Sequence, residues 1–175
     1  MFADPRSNLM QFDLKHGQHV ADLGAGFGFY SLEAARLVGP SGRVFAIEVQ
    51  KDLLDRLKNT ASHEGLHNVE VVWGDIETVG GTRLRDASVD RVIISNTLFQ
   101  VEARPHCIAE VVRILKSGGK LLLIDWSDDS SVSGPKAVQL ISKSDARALS
   151  EQGGLVFEKE ITAGAHHYGL IFKKS

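Results

Sequence analysis

Residues 20–28 have the most distinctive chemistry in the chain, because an acid is followed there by three glycines at alternate positions. A short apolar run that begins at His19 reaches the acid, Asp22. The glycines are Gly24, Gly26 and Gly28. Glycine adopts positive φ and has no Cβ, so a ligand can lie directly against the backbone of such a turn. A helix-like segment, residues 29–38, follows, and strand, glycine turn and helix in this order form a nucleotide-binding corner of an α/β sheet.

Asp22 indicates which nucleotide this corner favours. A dinucleotide site needs Gly-x-Gly-x-x-Gly, whereas the sixth position here is Phe29 and the third glycine comes one residue early. Pyrophosphate prefers the bare amides of a helix N-terminus, and a nearby carboxylate would repel it. The same carboxylate suits a ligand with an ammonium group. S-adenosylmethionine (SAM) has an ammonium, a sulfonium and no phosphate.

The glycine turn resembles the first motif of class I SAM-dependent methyltransferases, Asp/Glu-x-Gly-x-Gly-x-Gly, at all four defining positions. The resemblance implies a transferase that binds SAM as cofactor, releases S-adenosylhomocysteine (SAH) and needs no metal. It assigns cofactor contacts to Asp22, Gly24, Ala25, Gly26 and Gly28. An ordinary glycine-rich turn of another α/β protein is the alternative for this motif taken alone.

Apolar segments alternate with amphipathic ones along the whole chain, which is the pattern of βα units around a parallel sheet. The predicted strands are 19–23, 43–49, 69–73, 91–95, 120–126, 155–161 and 168–173. The predicted helices are 7–12, 29–38, 52–64, 103–116 and 142–151, with loops over 77–88 and 127–135. The six residues between the last two strands fit a hairpin, so that pair should be antiparallel. We therefore expect a three-layer, doubly wound, mostly parallel seven-stranded sheet with an antiparallel last strand, the class I methyltransferase fold.

Acids also stand at the ends of the next two predicted strands, at Glu48 and Asp75. Ligands of open α/β sheets bind beyond the carboxyl ends of the strands, so these acids should meet the glycine turn. The resemblance implies that Glu48 binds the ribose hydroxyls and that the next two residues, Val49 and Gln50, flank the adenine. It also implies that Asp75 and the following backbone amide bind the edge of the adenine. The remaining predicted cofactor contacts are Ile76 and Ser95.

Two later segments extend the resemblance towards the C-terminus. The run from Asp90 to Leu98 resembles the fourth motif of the family, and residues 115–121, Leu-Lys-Ser-Gly-Gly-Lys-Leu, resemble the segment before its fifth strand. Together they are most similar to the branch that acts on small molecules, typified by quinone-biosynthesis methyltransferases.

The acceptor is constrained mainly by what the sequence lacks. After the fourth strand there is no Asn/Asp-Pro-Pro-Tyr/Phe motif, which methylases of nucleic-acid amines use. Cys107 lies in a predicted helix at core spacing, so a small core residue is favoured over a nucleophile. Asp128 and Asp129 are adjacent in a predicted loop, where a solvated pair is favoured over a metal site.

Candidate acceptor contacts lie near the last strand and after the fourth and fifth strands. His166, His167 and Tyr168 stand in the turn before the last strand, where histidine can serve as a base and tyrosine can hold a hydroxyl or amine. The predicted acceptor wall consists of Phe99, Gln100 and Trp126. A polar hairpin and ordinary core aromatics are the competing interpretations.

Length and charge set the remaining expectations. The 175 residues fit one domain, 1–175, in which residues 1–18 form a lid-like N-terminal segment. A net charge of −2 offers no basic field for a nucleic-acid polymer, so a small-molecule acceptor is favoured. The single cysteine and the absence of a long apolar run indicate a cytoplasmic protein. The alternatives are an RNA or protein methyltransferase working with a partner, a non-catalytic SAM-binding protein and, less favoured, an NAD-linked oxidoreductase.

Overall fold

The computed structural model describes residues 3–127 and 140–175, and these residues form one sheet with helices on both faces. The strands are β1 (His19–Leu23), β2 (Arg43–Glu48), β3 (Val69–Trp73), β4 (Val89–Ser95), β5 (Leu115–Trp126), β6 (Leu155–Thr162) and β7 (His167–Lys174). The helices are α1 (Pro5–Phe12), α2 (Phe29–Val38), α3 (Lys51–His63), α4 (Arg104–Ile114) and α5 (Lys143–Gln152), with a 3-10 turn at Leu98–Gln100.

The strand order is β3-β2-β1-β4-β5-β7-β6, so the order reverses between β1 and β4. Strands β1 to β5 pair in parallel, whereas β7 pairs antiparallel with both β5 and β6. This confirms the predicted seven-stranded α/β sheet. Because β6 runs in the same direction as β1 to β5, the β6–β7 turn lies at the edge where those strands end. The predicted histidines of that turn therefore stand at the ligand edge of the sheet.

The core divides into two apolar layers, one on each face of the sheet. Val20 and Ile93 pack with α1 and α2 on one face, and Ala21 and Val92 pack with α4 and α5 on the other. This alternation follows from the two-residue period of a strand. Asp22, which is next in β1, consequently shares the face of Val20.

Three predicted starts were wrong by two residues or more, at α1, β4 and β5. The first helix begins at Pro5 rather than Ser7, because the side chain of Asp4 caps it and accepts a bond from the Ser7 amide at 3.1 Å. The fifth strand begins at Leu115 rather than residue 120, and α4 ends correspondingly early. Leu115 already pairs with Val89, and the register shifts before Arg91 pairs with Lys120. The Gly-Gly pair therefore lies inside β5 as an irregularity.

Other local predictions were confirmed. The Ser142 hydroxyl caps α5 by accepting a bond from the Asp145 amide at 3.1 Å. Residues 77–88 contain turns without a helix. The Asp128–Asp129 pair and nearly all of the predicted 127–135 loop lie outside the described residues. No helix within the described ranges is long and apolar enough to cross a membrane.

Candidate functional site

A cleft of about 710 Å³ opens at the carboxyl edge of the sheet, where the strand order reverses. Its volume is in the range of small-ligand sites. Residues from the glycine turn, the ends of β2 and β4 and the loop after β3 line it. Of the lining residues that the structure describes, four are acidic and none is basic. The acids are Asp22, Glu48, Asp75 and Glu77. These four acidic side chains fit a cationic nucleoside and oppose a pyrophosphate.

The glycine turn is held against β2 and leaves its outer side open. Gly24 has φ of +76°, and a Cβ there would lie 2.4 Å from Thr97 Cγ2, so a larger residue does not fit. The amides of Gly24 and Ala25 both donate to the Ile47 carbonyl, at 2.9 and 3.0 Å. A Cβ on Gly26, in contrast, would meet nothing within 4 Å. The turn therefore has a fixed inner side and free space on the cleft side.

Asp22 is the most perturbed acid of the cleft. It is only 2% exposed, and its Oδ2 accepts a hydrogen bond from the Ser31 hydroxyl at 2.6 Å. Burial raises the pKa of Asp22 to about 6, and the bond from Ser31 only partly offsets this effect. A ligand ammonium beside Asp22 would favour the ionised form. The site is therefore electrostatically incomplete in a way that a cation would relieve.

Glu48 ends β2 and connects that strand to the glycine turn. Its Oε2 accepts from the Gly26 amide at 3.0 Å, and its Oε1 accepts from the amides of Val49 and Gln50 at 2.9 and 3.0 Å. A carboxylate has about four acceptor positions, so these backbone donors leave about one for a ligand hydroxyl. The carboxylate is 7% exposed and is oriented before any ligand arrives.

Asp75 shapes the loop after β3 as well as lining the cleft. Its Oδ1 accepts from the Glu77 amide at 2.8 Å, and its Oδ2 accepts from the Thr78 hydroxyl at 3.1 Å. Its own amide donates to the Gly81 carbonyl at 3.1 Å. The predicted adenine-reading segment is therefore a tight, internally bonded loop.

The structure brings most of the predicted cofactor residues together. Those that line the cleft are Asp22, Gly24, Ala25, Gly26, Glu48, Val49, Gln50, Asp75, Ile76 and Ser95, together with the predicted acceptor residue Gln100. Gly28 instead lies immediately before α2, at its N-cap position, where a Cβ would lie 2.4 Å from Leu57 Cδ1. Sequence reasoning assigned no cofactor or acceptor role to the lining residues Ala3, Pro5, Phe27, Phe29, Tyr30, Ile47, Leu53, Gly74, Glu77, Asn96, Thr97 and Val101. The signal for the aromatic ones was their position within and directly after the glycine motif.

On the acceptor side, a buried acid that sequence reasoning also missed organises the predicted wall. Asp125 is fully buried at the end of β5, and it accepts from the amides of Phe99 and Trp126 at 3.0 and 2.8 Å. Burial raises its pKa to about 6, against the effect of these two amide bonds. Phe99 and Trp126 are partly buried and are not among the described residues that line the cleft.

The three predicted catalytic residues lie at the right edge of the sheet but outside the described cleft lining. His167 is 8% exposed and stacks on Trp126 with ring centroids 4.4 Å apart. Burial lowers the pKa of His167, and the charge of neighbouring His166 adds to that effect. The Tyr168 hydroxyl is buried and donates to the Ile141 carbonyl at 3.1 Å. The structure therefore directs Tyr168 into the core instead of bringing it to the cleft.

Cys107 occupies the core, as the sequence predicted. It is fully buried in α4, and burial raises the pKa of its thiol to about 12. Such a thiol stays protonated at neutral pH and does not act as a nucleophile. Within residues 3–127 and 140–175, no group of three or more metal-binding side chains is found.

Comparison with known proteins gives a consistent family. A methyltransferase-domain family model matches residues 14–166. A ubiquinone/menaquinone biosynthesis C-methyltransferase (UbiE) of Hahella chejuensis is 31% identical over 144 residues, which is 82% of this chain and 55% of that protein. A protein-L-isoaspartate O-methyltransferase of Methanococcus maripaludis is 34% identical over 114 residues, covering 64% of this chain and 49% of that protein.

The fold comparison agrees. The crystal structure of a SAM-dependent methyltransferase from Aquifex aeolicus superimposes with a TM-score of 0.91 and 27% identity, covering 99% of this chain and 91% of that one. The chain spans about half the length of the curated relatives it matches.

Proposed function

The chain belongs to the class I SAM-dependent methyltransferases, and we propose that it transfers the methyl group of SAM to a small-molecule acceptor. One observation carries this proposal: Asp22, Glu48 and Asp75, from three strand ends, meet the glycine turn in a cleft whose described lining has no basic side chain. An NAD-linked activity is disfavoured by the same observation, since pyrophosphate would face these acids.

Different residues of the cleft would contact different parts of the cofactor. Asp22 would face the ammonium group, Glu48 a ribose hydroxyl, and the 75–77 loop the adenine ring. SAM supplies an electrophilic methyl group and leaves as the neutral thioether SAH. The protein's contribution is to hold acceptor and methyl in line in a pocket that excludes water, and effects of proximity and orientation of this kind reach about 7–11 kcal/mol at most.

Four observations support a small acceptor. The cleft has the volume of a small-ligand site. Its rim carries Phe27 and Phe29, which are 56% and 68% exposed and offer an apolar surface for an organic molecule. The chain's net charge of −2 gives no general attraction for nucleic acid. The UbiE relative is named a ubiquinone/menaquinone biosynthesis C-methyltransferase, and these quinones are small molecules.

His167 is our candidate for the proton acceptor. Its lowered pKa keeps the imidazole neutral at neutral pH, so it can take a proton from an oxygen or nitrogen nucleophile. Neither ring nitrogen has a hydrogen-bond partner among the described residues. In the sheet register His167 of β7 pairs with Trp126 of β5. Strand β5 in turn pairs with β4, whose end lines the cleft.

A protein carboxylate is the second candidate acceptor. The similarity to a protein-L-isoaspartate O-methyltransferase favours it. Carboxylate oxygens need no base at neutral pH because they are already ionised. An His167 variant with unchanged turnover would fit this acceptor better than a hydroxyl or an amine.

The test has two stages. Calorimetric titration with SAH and with NADH should give binding for SAH alone, and binding of NADH alone would overturn the family-based reading of the cleft. SAM labelled in its methyl group is then incubated with separate small-molecule, RNA and protein fractions of a cell extract. Label in the small-molecule fraction supports the proposal, whereas label in protein or RNA, or SAM binding without any SAH release, would refute it.

A further inference from the structure

Helix α4 and the loop after β3 are joined through a buried carboxylate that lies away from the cleft. Glu110, in α4, is fully buried. Its Oε2 accepts from the Gly80 amide at 2.7 Å, and its Oε1 accepts from the Thr82 amide at 3.1 Å and from the Thr82 hydroxyl. One side chain therefore binds three donors of a loop about 30 residues earlier in the sequence.

A neighbouring arginine keeps this carboxylate charged. Arg113 Nε and Nη2 donate to the two oxygens of Glu110 at 2.8 and 2.7 Å. Burial by itself raises the pKa of Glu110, but the bonds from Arg113, Thr82 and Gly80 outweigh it and lower the pKa to about 2. An ionised acceptor forms stronger hydrogen bonds than a neutral one, so the loop is held firmly.

The segment that Glu110 binds, residues 80–82, packs directly behind Gly74 and Asp75, which line the cleft. Gly81, between the two residues that Glu110 binds, accepts the Asp75 amide bond at 3.1 Å. A Cβ on Gly74 would lie only 2.6 Å from the Gly81 carbonyl oxygen, so the two segments are in direct contact. A displacement of residues 80–82 would therefore move Gly74 and Asp75.

A second connection joins the same two elements, but here the carboxylate belongs to the loop and the backbone donors precede the helix. Glu77, which lines the cleft, accepts from the amides of Glu102 and Ala103 at 2.9 and 2.7 Å. Ala103 lies immediately before α4, at its N-cap position. The loop thus binds the two residues just before the N-terminus of α4, and Glu110 binds the loop from near the C-terminus of the helix.

From this arrangement we propose that Glu110 is a positioning residue for base recognition: by holding Gly80 and Thr82 it fixes the 74–82 loop, and thereby sets how well the cleft distinguishes adenine from other bases. The inference rests on the proposed function, since it takes the 75–77 segment as the adenine contact. Glu110 acts through the loop and touches no ligand.

The test compares the variant E110Q with the wild-type protein. Glutamine keeps the shape but loses the charge and one acceptor oxygen, so Gly80 and Thr82 lose part of their anchorage. We expect faster hydrogen exchange at these two amides, and a ratio of SAH affinity to S-inosylhomocysteine affinity that falls roughly tenfold, the lower end of the effect of a lost charged hydrogen bond. Asp86→Asn is the matched control, because Asp86 is exposed and contacts the same Arg113 from the solvent side.

The outcomes separate this inference from the proposed function. An unchanged affinity ratio in E110Q, or an equal weakening of both ligands, would overturn the positioning role even if SAH still binds. If the wild-type protein binds no SAH at all, the proposed function fails and this inference fails with it. Should E110Q not fold, Thr82→Val removes the hydroxyl donor to Glu110, along with the bonds that this oxygen accepts from the Leu84 amide and Arg113 at 3.4 and 3.3 Å. The same ratio is then measured; a smaller decrease is expected, and no decrease counts against the proposal.

Discussion

Protonation of Asp22 should control how tightly the cleft binds its cofactor. Burial raises the pKa of Asp22 to about 6, and the ligand ammonium is expected to pair with the ionised form. If only that form binds, the apparent affinity is proportional to the ionised fraction. This fraction is about one in eleven at pH 5 and nearly complete at pH 7.5, so SAH should bind roughly tenfold more weakly at pH 5.

The assay is calorimetric titration of SAH at pH 5, 6 and 7.5 and constant ionic strength, in buffers of different ionisation enthalpy. At pH 6, binding to the ionised form should release about half a proton, because about half of the Asp22 carboxyls are protonated beforehand. The buffer dependence of the heat measures that release directly.

Two variants make the experiment specific. Asp22→Asn cannot titrate and should bind SAH weakly with no pH dependence between pH 5 and 7.5. Asp125→Asn removes the other described carboxyl with a pKa of about 6, and it should keep the full tenfold dependence because Asp125 binds the Phe99 amide and is not among the described residues that line the cleft. A flat profile for the wild-type protein, or an unchanged slope in Asp22→Asn, would refute the pairing of Asp22 with the ammonium.

Four further predictions follow from the same geometry. Glu48→Ala should weaken SAH binding by about 1–3 kcal/mol, since a charged hydrogen-bond partner is lost, and calorimetry giving the wild-type affinity would contradict the ribose assignment. His167→Ala should lower turnover while leaving SAH affinity intact, and an unaltered rate in the methyl-transfer assay would place the base elsewhere. Gly24→Ala places a Cβ against Thr97 at positive φ, so the melting temperature of this variant should fall. Gly26→Ala has open space beside its Cβ, so it should lower the melting temperature less than Gly24→Ala and weaken SAH binding more. Asp22 and Asp125 both have pKa values raised in the folded state. The free energy of unfolding should therefore fall as pH rises from about 4 to above 6, by at most about 3 kcal/mol for each group. Urea titrations that show no such fall, or show the same fall in Asp125→Asn, would count against the Asp125 contribution.

Local sequence signals determined most of the fold. The β1 strand and α2 were predicted with the bounds that the structure has, because apolar runs and glycine breaks act over a few neighbouring residues. The largest error arose where a distant partner decides the boundary. The start of β5 at Leu115 depends on pairing with Val89 in another strand, which no local pattern reveals.

The sequence also predicted a shared ligand site, because the topology of parallel strands places Asp22, Glu48 and Asp75 at one edge whatever the details of packing. Only the tertiary structure decided what each side chain does there. The sequence suggested that the Tyr168 hydroxyl could bind the acceptor, but in the structure this hydroxyl donates to the Ile141 carbonyl. Glu110 lies in a predicted helix and drew no assignment from the sequence, yet it binds a loop from about 30 residues away. Burial and hydrogen-bond partners arise from contacts between distant segments, so residue type and spacing alone do not encode them.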